Sequence, residues 1–242
     1  MENFEKISQV RFRGKSSIIA EQILQMIRGK RYPVGSKLPP ERIIAEQMGV
    51  SRPSVREAIS ALQIVGVLET HPGDGTYVAK SLVGDNLSSQ VQDILEQSDS
   101  PYEIIEARKA IESGVIRQAV RSATESEIEK IEAVWDEKHE KGRQGDYDAY
   151  TRKGKDFHLS IANATKNALI VAIMDRLLSV TDQPLWRNMR CRFYEQNPDR
   201  IGTMMDVHYK MLSAIKEGDA EKAVQAVEED LDSILEQLYN MV

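Results

Sequence analysis

The run Leu38-Pro-Pro-Glu-Arg-Ile-Ile-Ala-Glu-Gln-Met-Gly-Val-Ser-Arg-Pro-Ser-Val-Arg-Glu-Ala-Ile-Ser-Ala-Leu62 leaves this chain few folds to choose from. It spells two short helices joined by a sharp corner. Pro40 suits a first helical position, since its fixed φ matches the helix and its missing N–H is not needed there. Ile43, Ile44, Gln47 and Met48 give that helix a partly apolar face. Gly49 can take the left-handed conformation that ends it. Ser51 is a good N-cap for the second helix, and Pro53 is tolerable because it lies in the first turn. Val55, Ala58, Ile59 and Leu62 follow at i, i+3, i+4 and i+7, a buried helical stripe. Gly66 stops it. Two helices around so short a turn make a helix-turn-helix.

The polar residues lie where a reader of double-stranded DNA needs them. In this motif the start of the second helix meets base edges and the first helix crosses the backbone. Arg52 and Arg56, one turn apart, can reach guanine or phosphate; Ser51 and Ser54 can bond either. The helix N-terminus adds its own attraction for phosphate. Arg42, early in the first helix, is aimed at the same duplex. A solvated basic helix start is the bland alternative.

Val67 to Val78 carries two β-prone runs around Pro72-Gly73-Asp74-Gly75, a hairpin signal. Such a wing would bring His71 and the glycine tip, Gly75, toward the minor groove; a plain hairpin that caps the domain is the other reading. Upstream, Ser16 to Arg28 has the apolar spacing of an amphipathic helix. The fold expected is a winged helix-turn-helix (three helices plus a hairpin) over residues 1–80. A Gly-, Asp- and Ser-rich linker follows over 81–89. Residues 90–242 then read as an all-α bundle of six or seven helices. These include Glu125 to His139, Tyr147 to Asn163, Ala168 to Val180, Asp206 to Glu217 and Asp219 to Tyr239, with Gly and Pro marking the gaps.

Charge divides the same way. Residues 1–80 hold 12 Lys+Arg against 8 Asp+Glu, net +4, and the remainder is net −10, which gives −6 for the chain. A basic head on an acidic body suits a protein that presents one part to DNA. The lone cysteine, Cys191, rules out an intramolecular disulfide and fits a reducing cytoplasm. No long apolar run argues for export or a membrane span.

Within the bundle, three polar residues fall on inward stripes. His158 shares register with Ile161, Ala162 and Thr165; His208 with Met211, Leu212 and Ile215; Asp230 with Ala223, Val227 and Ile234. An inward carboxylate without a partner costs several kcal/mol. Two imidazoles and a carboxylate can form a divalent-metal set for Zn, Mn, Ni or Fe. Each being satisfied separately by hydrogen bonds is the competing account, and the residues leave both open.

The run from Leu38 to Val78 resembles the DNA-binding domain of the GntR family of bacterial transcription regulators, continuously over roughly residues 13 to 80. The resemblance implies DNA contacts at Arg42, Ser51, Arg52, Ser54, Arg56 and Gly75, with Pro53 replacing the commoner threonine. The runs YEIIEARKAIESGVIRQAV, DFHLSIANATKNALI and VHYKMLSAIKEGDAEKAVQAV are similar to the helical FCD ligand domain of the FadR subgroup over roughly residues 87 to 240. Many such domains hold a metal through an aspartate, a histidine four residues on and two further histidines. His158 and His208 match two of those positions. Gly154 stands at the aspartate and Asp230 at the last histidine, so the set is one ligand short. Asp156 does not restore it, being on nearly the opposite side of the helix. The resemblance also implies an effector pocket with Arg108 as a carboxylate clamp. Asn167 matches the family pattern as a pocket or helix-capping residue, and Arg187, Arg190 and Arg192 add positive charge nearby.

The function expected is a ligand-responsive DNA-binding transcription regulator, a cytoplasmic homodimer on a pseudo-palindromic operator, acting as a repressor released by a small carboxylate. No catalytic residues are expected. A metal-dependent enzyme using the helical pocket is one alternative, but no spaced motif supplies its general base. A ligand-independent structural DNA binder is the other.

Overall fold

The computed structural model describes residues 14–71, 73–79, 87–97 and 100–240. It divides into two compact units that meet in sequence between Ser100 and Pro101. In the first unit α1 (Lys15–Arg28), α2 (Glu41–Met48) and α3 (Arg52–Ile64) are followed by the antiparallel strands β1 (Leu68–His71) and β2 (Gly75–Val78). Gly49 ends α2 in the left-handed region at φ 66°, and the Ser51 hydroxyl caps α3 by accepting from the Ser54 N–H at 3.3 Å. Gly66 follows α3 at φ +72°. Ile19, Ile23, Ile44, Met48, Val55, Leu62 and Val78 form one buried cluster between the helices and the hairpin. Burial of each larger aliphatic side chain contributes about 1.5–3 kcal/mol.

The boundary differs from the sequence expectation. Residues 81–86 of the expected linker lie outside the described residues, and its last residues, Leu87 to Ser89, form the first turn of α4 (Leu87–Gln97). That helix packs on α1 and α3, with Val91 buried and Leu87, Ile94 and Leu95 against the same core. Its apolar face is satisfied by the DNA-binding unit, so the helical domain begins after it rather than at residue 90.

The second unit holds seven helices among the described residues: α5 (Pro101–Ser122), α6 (Glu125–Arg143), α7 (Tyr147–Asn163), α8 (Ala168–Leu178), α9 (Pro184–Gln196), α10 (Arg200–Glu217) and α11 (Ala220–Asn240). A 3-10 turn, Ser179–Asp182, links α8 to α9. α5 lies along α11, α11 on α10, and α6 on α7; α7 also touches α5, α8 and α9. Pro184 opens α9, because proline fits the first helical turn. α10 starts at Arg200, ahead of the expected Asp206. Gly142 allows α6 its close approach to α10: a Cβ there would fall 2.1 Å from Met205 Cε and 3.1 Å from Ile201 Cγ2. One turn earlier on α6, that approach sets Lys138 beside His208.

Candidate functional site

In the first unit the start of α3 is exposed. Ser51 and Arg52 face solvent, Ser54 is half-buried, and the two serine hydroxyls lie 2.9 Å apart. Arg42 is exposed on α2 and paired to Glu46 Oε1 at 2.5 Å. The hairpin tip carries His71, exposed, with Nε2 3.1 Å from Glu69 Oε1. At Gly75 the Lys37 side chain crosses the wing, so a Cβ would lie 2.5 Å from Lys37 Cε. The Lys37 ammonium donates to Asp74 Oδ1 at 2.7 Å, and that hydrogen bond raises its pKa. Lys37 is a basic group of the wing face that sequence reasoning passed over, because it precedes the motif it packs on.

Arg56 is not where the sequence reading put it. It is 2% exposed, and its guanidinium grips Glu41 across the corner, Nε to Oε1 at 3.1 Å and Nη2 to Oε2. Position 56 falls beside Val55 and Ile59 on the inward side of α3, and the arginine braces α3 against α2. The adjacent Glu57 also fixes α3, accepting from Ser16 Oγ at 2.7 Å and from Ser100 Oγ at 2.5 Å.

The second unit has a partly open cavity of about 40 Å³ lined by Arg108, Lys138, Tyr150, His158, Arg190 and His208, among others. A file of buried ionisable groups runs past it. Arg108 Nε donates to Glu112 Oε1 at 2.5 Å, and Glu112 Oε2 lies 2.8 Å from His158 Nδ1. His158 Nε2 stands 3.4 Å from Asp230 Oδ2, and Asp230 Oδ1 3.3 Å from His208 Nε2. His208 Nδ1 is 2.9 Å from Lys138 Nζ, which sits 3.8 Å above the Tyr150 ring. Five helices supply these six groups.

Their protonation follows from the neighbours. Burial alone would raise Glu112, but the Arg108 and His158 charges bring it down to about 2. Asp230 is likewise held low, burial being overcome by His208, His158 and Arg108. Burial would lower His158, yet Glu112 and Asp230 raise it, so it is the imidazolium of the pair. Burial, with the Lys138 charge beside it, keeps His208 well below the usual histidine range and neutral. Burial pushes Lys138 down to about 7 against the pull of Asp230. Arg190 adds a further buried cation, bonded to Gln237 and Tyr194. Positive charge thus exceeds the two buried carboxylates, and Arg108 Nη2 is buried with no hydrogen-bond partner.

The donor set also fits a divalent ion. One atom each of His158, His208 and Asp230 lie within 4.8 Å of one another. Both Asp230 oxygens are buried without hydrogen bonds, the histidine nitrogens standing at ion-pair distance only. Glu112 behind His158 Nδ1 is the outer partner a ligating imidazole ordinarily has. Space near Gly154, the position of the missing ligand, belongs to Lys138: a Cβ at 154 would lie 3.3 Å from Lys138 Cε. Asp156 is turned out to Lys153, as its spacing required.

Of the effector residues named from sequence, Arg108 lines the cavity and two others do not. Asn167 is exposed and caps α8, its Oδ1 accepting from Leu169 and Ile170 N–H at 3.0 and 3.3 Å. Arg187 is spent on Asp148, with Nε at 2.9 Å and Nη2 at 2.6 Å. Arg190 is the arginine of α9 that turns inward, in register with Trp186, Met189 and Phe193. Lys138 and Glu112 went unread as pocket groups.

Residues 15–78 match the bacterial regulatory proteins of the gntR family, and residues 103–233 match the FCD domain. The chain is 28% identical to the Uxu operon regulator of Haemophilus influenzae over 99% of its own length and 86% of that protein. It is 28% identical to the HTH-type transcriptional repressor NanR of an Enterobacter species over 90% and 83%. The solved structure of E. coli McbR/YncC superposes with a TM-score of 0.50 at 20% identity, covering 93% of this chain and 97% of that one, a likeness of fold. Among the described residues no helix is long and apolar enough to cross a membrane. The chain belongs to the gntR family of transcription regulators, a ligand-responsive DNA-binding protein whose effector domain is of the FCD type.

Proposed function

We propose that this regulator is a cytoplasmic homodimeric repressor that leaves its operator when a small carboxylate enters the cavity beside Arg108. The unpartnered Nη2 of Arg108, buried where positive charge is in excess, carries this reading. A guanidinium nitrogen without an acceptor is costly in an apolar interior, and a carboxylate meets it with a charge-assisted bond. Ser51, Arg52, Ser54 and Arg42 form the major-groove face, with the wing at His71 and Gly75 toward the minor groove. Arg56 positions α3 and does not touch the duplex. One such head reads few base pairs, so a second copy completes the site. The ridge Leu169, Ala172 and Ile173 on α8, with Leu169 69% exposed and Ile173 43% exposed, is the surface we give to that copy. His158, His208 and Asp230 would hold a divalent ion, which supplies, when bound, a fixed positive charge to an effector oxygen. The reading assigns no catalytic step to any side chain.

Isothermal titration of the purified chain against a panel of small mono- and dicarboxylates, followed by anisotropy on a duplex selected from random sequence, tests it. A carboxylate that binds, lowers DNA affinity and loses both effects in Arg108→Ala is expected. Binding undiminished in Arg108→Ala removes that residue from the site.

A further inference from the structure

The wing carries a third chain segment. Gly35 N–H donates to the Val78 carbonyl at 2.8 Å, Val78 N–H to that of Ser36 at 3.0 Å and Leu38 N–H to that of Thr76 at 2.8 Å. Lys37 thus lies opposite Tyr77, on the edge of β2 away from β1. Neighbours along an extended segment point to opposite faces. Leu38 is in the core, so Lys37 faces out. Its ammonium donates to Asp74 Oδ1 at 2.7 Å and sits 5.6 Å from the centre of the Tyr77 ring, whose hydroxyl donates to Asp74 Oδ2 at 2.5 Å. The His71 ring meets the Tyr77 ring edge-on, 5.0 Å between centres. Lys37, Tyr77 and His71 therefore form one row across the wing. The lysine stem covers Gly75: a Cβ there would lie 2.5 Å from Lys37 Cε and 3.2 Å from Nζ. A duplex approaching that side of Gly75 meets the ammonium first.

We propose that Lys37 is the wing's own contact to the DNA phosphate backbone, and that position 75 lacks a side chain so that the lysine can cross. The inference rests on the reading that the wing lies against the duplex. An ammonium has three N–H donors. With Asp74 and the Tyr77 hydroxyl beside it, at least one is left for a phosphate oxygen. Asp74 and Tyr77 hold the stem in place across the wing. Both members of the Lys37–Asp74 pair are open to water, their side chains 46% and 55% exposed. An exposed pair contributes little, so the lysine gives up little by sharing or leaving Asp74 for a phosphate. Phosphate contacts fix orientation and carry no sequence information. Lys37 thus adds affinity on any duplex.

Anisotropy of the full chain over a series of salt concentrations, on the duplex selected from random sequence and on an unselected one, compares wild type with Lys37→Met, Lys37→Arg and His71→Ala. Methionine keeps the stem and removes the donor and the charge. Losing one phosphate contact lowers the slope of log K against log salt by about 0.9 for each bound head. Lys37→Met should show that loss on both duplexes, its deficit against wild type growing about eightfold per head for each tenfold dilution of salt. Lys37→Arg should keep the wild-type slope. A lysine that only braced the wing would shift the calorimetric midpoint of the first unit and leave the slope alone. An unchanged slope in Lys37→Met, while His71→Ala loses affinity, overturns the role of Lys37 and leaves the wing on the duplex. A slope reduced on the selected duplex alone makes Lys37 a reader of sequence and overturns its assignment to the backbone. If Lys37→Met and His71→Ala both bind as wild type does, the wing reading fails and the role of Lys37 fails with it.

Discussion

Replacing Arg56 separates bracing from DNA contact, because the two roles predict opposite signatures. The Arg56 side chain is 3% exposed and that of Glu41 is 13% exposed. Arg56→Ala removes the cation and leaves the carboxylate in a nearly dry corner between α2 and α3. Breaking a fully buried pair from one side costs about 3–5 kcal/mol, and water reaching Glu41 brings the expectation to the lower end, about 3 kcal/mol. For a unit of this size each kcal/mol moves the midpoint by roughly 4–8 °C, so the transition of the first unit should fall by roughly 12–24 °C. Scanning calorimetry of the full chain reads it. Arg56→Met with Glu41→Met replaces the pair by apolar volume and should recover most of the loss, since such swaps are often neutral. Below its lowered midpoint, Arg56→Ala should still bind DNA with the salt dependence of wild type. An unchanged midpoint, together with lost affinity and a salt slope reduced by about one, would refute the brace and return Arg56 to the duplex.

Arg52→Ala should cost about 1–3 kcal/mol on the selected operator and relax one base position, read by anisotropy on single-base variants. Glu112 is at about 2 in the fold against an ordinary 4.5. Its contribution is therefore present above pH 4.5 and lost as pH falls toward 2; the shift corresponds to roughly 3 kcal/mol. Urea melts of the second unit should weaken over that window in wild type and much less in Glu112→Gln. Ile173→Glu should convert the dimer to monomer in light scattering while the midpoints of both units hold within about 0.5 kcal/mol, as for an exposed site; a persisting dimer would move the interface elsewhere.

The first unit was readable because its signals are local. Gly49, Ser51 and Pro53 each act on backbone within a turn of themselves, and the stripe from Val55 to Leu62 gives the buried face directly. The same stripe holds the clue to the burial of Arg56, which adjoins Val55 on the face that must be covered. The inward turn of His158, His208 and Asp230 was legible for the same reason of phase. What escaped depends on contacts distant in sequence. Lys138 lies among Asp136, Glu137, His139 and Glu140, a charged run that reads as solvated surface. It turns inward because Gly142 lets α10 approach and Gly154 leaves room beneath. Pro184 begins α9, and only the register of that helix turns Arg190 inward and leaves Arg187 on Asp148.

On the proposed reading, the file from Arg108 to Lys138 would give the sensor its means of response. Buried ion pairs contribute little net stability against replacement by apolar side chains, but they specify geometry closely and are costly to break from one side. Here Arg108 and Glu112 belong to α5, His158 to α7, Asp230 to α11, His208 to α10 and Lys138 to α6. A carboxylate meeting Arg108 Nη2 need not displace Glu112 from Nε. A bound carboxylate would add negative charge that offsets Arg108, raising Glu112 from its low value and favouring the protonated His158 between Glu112 and Asp230. In a low-dielectric interior each link feels the polarisation of the next. A ligand can shift a conformational equilibrium only through contacts that differ between its states. A monoanion at Arg108 would supply that difference across the α5–α7 contact, whereas a neutral molecule of the same shape would fill the cavity and leave the charges as they stand.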